Sequence, residues 1–186
     1  FWWRYTPPTM ANDLLIVNGI VLDPARQFEG PADVLIRDGR IAEVGPNLRA
    51  KAGADTPTLD AKGCYVTPGL IDIHVHFREP GQEAKETIAT GSAAAVAGGF
   101  TTVCCMPNTQ PALDDATQIE FVYTQAARAN LCTVLPVGAI TKGRKGQELA
   151  EMALMHEAGA IGFSDDGVGV GSAAVMLKAL QYVKMF

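Results

Sequence analysis

Asp72-Ile73-His74-Val75-His76-Phe77-Arg78-Glu79-Pro80 sets two imidazoles and a guanidinium at alternate positions of an apolar run. On a strand, alternate residues share a face, so His74, His76 and Arg78 would point one way and Ile73, Val75 and Phe77 the other. Same-face Cα atoms lie about 6.5 Å apart, close enough for both imidazoles to reach one ion at roughly 2.0–2.1 Å. A lone histidine on a strand is more often satisfied by a hydrogen bond than by a metal. Here, however, two of the chain's three histidines fall within three residues, directly after a Thr67-Pro68-Gly69 loop.

The elements that must carry these groups read differently on either side of Pro68. Before it come short strand signals: Leu14 to Val17, Gly19 to Leu22, Asp33 to Ile36 and Ile41 to Val44, with Asp38-Gly39 as a two-residue hairpin turn. Thr58 to Asp60 and Cys64 to Val66 read as further strands bracketing a Lys62-Gly63 turn. After Pro68, apolar runs (Leu70 to Phe77, Phe100 to Met106, Cys132 to Val137, Ala160 to Phe163) alternate with helical patterns. Those patterns cover Thr87 to Ala97, Thr117 to Asn130, Gly146 to Ala158 and Ser172 to Met185.

Four strand-then-helix units imply a parallel sheet with right-handed crossovers, either an open doubly wound sheet or half of an eight-stranded barrel. Arg78-Glu79-Pro80-Gly81 is not the Gly-rich phosphate turn an open nucleotide-binding sheet would carry. In a barrel the chemistry sits at strand C-terminal ends, where His74, His76, Arg78, Asn108 and Asp166 all fall. The barrel is therefore the expectation.

Composition narrows the partners. With 186 residues, 48% hydrophobic and 19% charged, the chain can bury one sizeable core. A net charge of -5 without a Lys/Arg cluster argues against nucleic acid, and no apolar stretch nears the roughly 18 residues of a membrane span. Cys64, Cys104, Cys105 and Cys132 show no Cys-x-x-Cys pairing and are expected to be reduced core residues of a cytoplasmic protein. Phe1 to Thr9 are expected to be a non-native or disordered extension, with Met10 as the start. His156 reads as a residue favoured by the dipole at a helix C-terminus, Met152 and Met155 as core, and Lys142, Arg144 and Lys145 as a solvated basic loop.

Asp72 to Pro80, Met106-Pro107-Asn108-Thr109 and Phe163-Ser164-Asp165-Asp166-Gly167 together resemble the dihydroorotase family of the amidohydrolase superfamily, in its bacterial type with a bridging aspartate. The resemblance runs from about Asp13 to the C-terminus. It implies an α/β fold: the first half, about four βα units, of a metal-dependent (β/α)8 TIM barrel, preceded by a small β-sandwich-type unit. The expected divisions are 1–9, 10–67 and 68–186, the last a truncated catalytic domain.

The implied activity is the reversible zinc-dependent cyclisation of N-carbamoyl-L-aspartate to L-dihydroorotate in pyrimidine biosynthesis. The implied ligands for one or two zinc ions are His74, His76 and Asp166, with Asp166 as the bridge and Asp165 as its competitor. Arg78 and Asn108 would hold the substrate carboxylate. The plain alternatives are an ion pair of Arg78 with Glu79 or Glu83, and a turn role for Asn108. The family's general acid/base aspartate and later histidine ligands are expected beyond Phe186, so the piece alone is expected to be unstable or aggregating, and inactive.

Two rivals stand beside this reading. Another cyclic amidohydrolase (hydantoinase, dihydropyrimidinase or allantoinase) would usually bridge its metals with a carboxylated lysine near the fourth strand, and Gly159 to Gly171 contains no lysine. A non-catalytic dihydroorotase-like subunit of aspartate transcarbamoylase would be expected to have lost ligands. A homodimer and an association with aspartate transcarbamoylase are the assemblies the resemblance admits.

Overall fold

The computed structural model describes residues 13–186. The extension expected at 1–9 and the start at Met10 lie outside the described residues. The chain divides into two compact units, the first closing at Pro68 and the second spanning Gly69–Phe186.

Among the described residues the first unit is one five-stranded mixed sheet, where a small β-sandwich-type unit was expected. Strand β1 (Leu14–Asp23) pairs antiparallel with β2 (Phe28–Arg37), which turns back into β3 (Arg40–Gly45). The turn is Asp38-Gly39, both left-handed at φ 50° and 70°, the geometry a two-residue hairpin requires. The two short strands expected before Leu22 are one strand, interrupted by a register shift between Ile16 and Gly19 where Asn18 is left-handed.

On the other edge of β1 lie β4 (Thr58–Asp60) and β5 (Tyr65–Val66). Both run parallel to β1, so the Lys62-Gly63 turn does not fold them onto each other. Leu15, Val17 and Leu35 bury against Leu48 of a short 3-10 turn, and Val21, Ala32 and Val34 form a second cluster.

In the second unit β6 (Leu70–Val75), β7 (Phe100–Cys105) and β8 (Thr133–Pro136) form a parallel sheet in that order. Helix α1 (Ile88–Ala97) connects the first two strands and α2 (Ala116–Ala129) the second pair. Thr87 and Asp115 cap the two helices by accepting from Thr90 N and Gln118 N, each cap contributing about 1 kcal/mol. Ile119 and Val122 of α2, with Tyr123 and Ala126 about one turn further on, form one helical stripe that packs with Ile88, Val103, Val134, Met152 and Met155.

Past β8 the structure departs from the expected pattern. The expected helix from Gly146 shrinks to α3 (Met152–Glu157), because 140–150 folds as a small hairpin instead. Lys142 N donates to Glu148 O and Ala150 N to Ile140 O, while Gly143 and Gly146 take left-handed φ values that a helix cannot contain. The expected fourth strand at Ala160–Phe163 reduces to a single parallel bridge, Gly138 to Phe163. It still runs beside the end of β8, with Ile161 N donating to Pro136 O and Ser164 N to Gly138 O. Helix α4 (Ala173–Val183), capped by Ser172, follows. Among the described residues no helix is long and apolar enough to cross a membrane.

Candidate metal centre

Because β6, β7 and β8 are parallel, their C-terminal ends lie along one edge of the sheet, and the segments that follow them meet there. His74 is the penultimate residue of β6; His76 and Arg78 lie beyond its end. Asn108 follows β7, and Asp166 follows the strand-like 161–164 segment.

The alternation expected for His74, His76 and Arg78 on one strand face is not what brings the histidines together. The pairing with β7 slips between Asp72 and Val75, since three steps on β6 match two on β7. Asp72 explains the slip: its carboxylate accepts from His74 N at 2.9 Å, taking that amide out of the regular ladder. Arg78 then turns left-handed at φ 59°, so its side chain leaves any strand pattern.

The two imidazoles nevertheless stand edge to face, with ring centroids 5.1 Å apart. His74 Nε2 lies 2.9 Å from Asp166 Oδ1 and His76 Nδ1 lies 3.8 Å from Asp166 Oδ2. Donors on one tetrahedral ion at 2.0–2.1 Å would stand roughly 3.3 Å apart, a value these two distances bracket. One ligand atom from each of the three residues fits within 4.8 Å of the others. Two imidazoles with one carboxylate form a mixed N/O set that suits zinc and its borderline neighbours.

Asp165 is settled by geometry. Its side chain faces away from the histidines, 3% exposed, and accepts from Ile140 N at 2.9 Å, Thr141 N at 3.0 Å and Thr141 Oγ1 at 2.5 Å. That leaves Asp166, its side chain 8% exposed, as the carboxylate at the histidines.

Asn108 Oδ1 lies 2.9 Å from His76 Nδ1, so the residue is more than a turn former. Neither acid suspected of pairing with Arg78 does so. Glu79 Oε2 accepts from Ile88 N at the start of α1, and Glu83 Oε1 accepts from Gly81 N. Among the described residues no carboxylate stands within ion-pair distance of the half-buried Arg78. The two loops are latched by Gln110 N donating to Pro80 O, and a Cβ on left-handed Gly81 would overlap the Gln110 carbonyl oxygen.

Sequence reasoning missed Asp72, Thr141 and Arg144. The basic loop read as solvated is only partly so: Lys142 is exposed and pairs with Glu148, whereas Arg144 is half-buried against the backbone of Asp165 and Asp166. His156 closes α3 as expected and stacks on Phe186. Cys104 and Cys105 are both buried, and all four cysteines are free. Burial pushes the Cys105 thiol up to about 12, far from the reactive range of a nucleophile.

A family profile described as Dihydro-orotase-like matches residues 63–185. A dihydroorotase from Anaeromyxobacter dehalogenans is 51% identical over 95% of this chain, and one from a Geobacter species is 51% identical over 92%. In both, the aligned region is 40% of the relative, so the chain spans about two fifths of the length of the curated relatives it matches. Among solved structures, an L-hydantoinase from Arthrobacter aurescens superposes with a TM-score of 0.77 at 23% identity, covering 95% of this chain and 39% of its own. At that identity the likeness shows the fold alone.

Proposed function

Since the chain belongs to the dihydro-orotase-like family, we propose that it forms the metal-holding and carboxylate-holding portion of a dihydroorotase. The reaction is the reversible cyclisation of N-carbamoyl-L-aspartate to L-dihydroorotate. The single observation that carries this reading is the convergence of His74, His76 and Asp166 at the C-terminal edge of a parallel sheet, with Arg78, two residues beyond His76, lacking an acidic partner among the described residues. In this reading the three parallel strands and the 161–164 segment are the first four steps of a (β/α)8 barrel, whose active sites lie at that edge.

The donor set fits zinc, which His74, His76 and Asp166 would hold, with Asp166 as the bridging carboxylate. When bound, zinc lowers the pKa of water toward 7 and polarises a carbonyl oxygen, which is what opening an unactivated cyclic amide needs near neutral pH. The protein's own groups do the positioning. His76 Nδ1 lies 2.9 Å from Asn108 Oδ1, a contact that fixes the imidazole plane beside Asp166. The Asn108 amide would offer its N–H donors to a substrate carboxylate. The planar fork of Arg78, free of protein acids, matches the same carboxylate with two parallel hydrogen bonds.

Hydantoinase-type neighbours share the fold, but relatives at about 50% identity are named dihydroorotase and the bridging position here is aspartate, not lysine. Assaying the protein as its gene encodes it on dihydroorotate, hydantoin and allantoin tests the reading. Turnover of dihydroorotate, lost in Arg78→Ala, is expected; a preference for either of the other two substrates would sink it.

A further inference from the structure

Asp166 sits in an awkward place for the residue that must aim a carboxylate. Its φ of 25° lies outside the regions that L residues favour, so something must hold the backbone there. Its neighbours supply a two-sided clamp. On one side the Asp165 carboxylate plugs into the 140–141 backbone and the Thr141 hydroxyl, and that hydroxyl in turn accepts from Gly146 N at 2.8 Å. On the other side Arg144, itself left-handed at φ 58°, donates from Nε to Asp165 O at 2.9 Å and from Nη2 to Asp166 O.

The use made of Arg144 is unusual for a cation in a loop. Among the described residues it has no acidic partner, and its fork is given to two consecutive carbonyls of the segment that carries Asp166. The hairpin turn bearing it is fixed independently: Arg144 N donates to Thr141 O, and Gly143 N to Asp114 Oδ2. Arg144 thus connects an anchored loop to the peptide units on both sides of the Asp166 nitrogen and carbonyl. Rotating either peptide would swing the Asp166 carboxylate away from His74 and His76.

We propose that Arg144, seated by Thr141 and Asp165, is a positioning residue that sets the direction of the Asp166 carboxylate at the metal centre. This rests on the reading of Asp166 as a metal ligand. Partners that orient a ligand from outside the coordination shell typically change metal affinity 10- to 100-fold when removed. Arg144→Ala is therefore expected to weaken metal binding at least tenfold while leaving helix content unchanged and lowering the melting temperature by only a few degrees. Arg144→Lys, able to reach one carbonyl only, is expected to recover part of the loss.

Cobalt titrations of the protein followed by visible absorption test this. Weaker cobalt binding and an altered ligand-field spectrum in Arg144→Ala, with unchanged circular dichroism and partial recovery in Arg144→Lys, support the proposal. Unchanged affinity and spectrum in Arg144→Ala, beside loss in Asp166→Asn, overturn it and leave the ligand reading standing. Unchanged binding in Asp166→Asn overturns both. If Arg144→Ala fails to fold, Arg144→Lys decides alone: a folded variant with an unaltered cobalt spectrum overturns the proposal, and a folded variant with an altered one supports it.

Discussion

The two sides of the metal centre are built in opposite ways. On the histidine side, His74 is 55% exposed on an edge strand, and its visible support is one carboxylate, Asp72, on its backbone amide. On the aspartate side, Asp166 is almost buried and the segment beneath it is held by Asp165, Thr141 and Arg144 through a continuous set of hydrogen bonds. A local motif can present two imidazoles, but a carboxylate that must meet them from another part of the chain needs a scaffold. The difference predicts that substitutions on the two sides trade off stability and metal binding in different proportions.

The largest effect on stability is expected from Asp165→Ala. It strips a buried acceptor from two backbone amides and a hydroxyl, which should cost about 3–4 kcal/mol in a denaturant titration. His74→Ala, removing an exposed side chain, should change stability by no more than about 0.5 kcal/mol while losing metal. Equal destabilisation by the two would erase the contrast.

Next comes Gly81→Ala, where a left-handed φ of 90° and the Gln110 carbonyl both oppose a side chain. A loss of about 1–3 kcal/mol is expected, together with, on the proposed function, a raised KM for dihydroorotate. An unchanged KM would show that the latch between the Arg78 and Asn108 loops does not matter for binding.

At neutral pH the smallest effect belongs to the core beneath the site. Burial raises the Cys105 thiol to about 12, so the folded state holds it protonated at pH values where the unfolded chain has begun to ionise it. The sign follows: stability is fully retained below about pH 9 and falls as pH rises from there toward 12. Replacing Cys105 by Ala should flatten that alkaline decline in the denaturant midpoint, and exposed Cys64 should react with a thiol reagent long before Cys105 does.

What could be read from the chain alone follows the same division. Strands and helices with strong local patterns, such as Phe100–Cys105 and Ala116–Ala129, stand within a residue of where periodicity and caps put them. His74 and His76 were legible because their meeting is local, although a bulge rather than simple alternation achieves it. The choice of Asp166 over Asp165 was not legible from physics alone, since both are acidic and adjacent just before Gly167; only the Ile140 and Thr141 amides that donate to Asp165 separate them. Arg144 looked solvated because its partners are carbonyls, which have no sequence signature. The Gly146–Ala158 helix and the 160–163 strand failed where left-handed glycines and a single bridge overrode local hydropathy.

The exposed apolar face of β6 sharpens the picture further. Ile71 and Ile73 are 64% and 74% exposed on the edge of the parallel sheet, next to the strand end that carries the site. Such an edge invites pairing with other chains. Ile73→Lys should reduce light scattering of the chain at high concentration without altering its metal affinity; unchanged scattering would place the sticky surface elsewhere.

The central claim is that His74, His76 and Asp166 hold one metal centre together. Zinc titration by calorimetry of the unaltered protein, His74→Ala, His76→Ala and Asp166→Asn tests it most directly. The account predicts at least a hundredfold loss of affinity in each variant with the fold retained. Variants that bind zinc as tightly as the unaltered protein would contradict it.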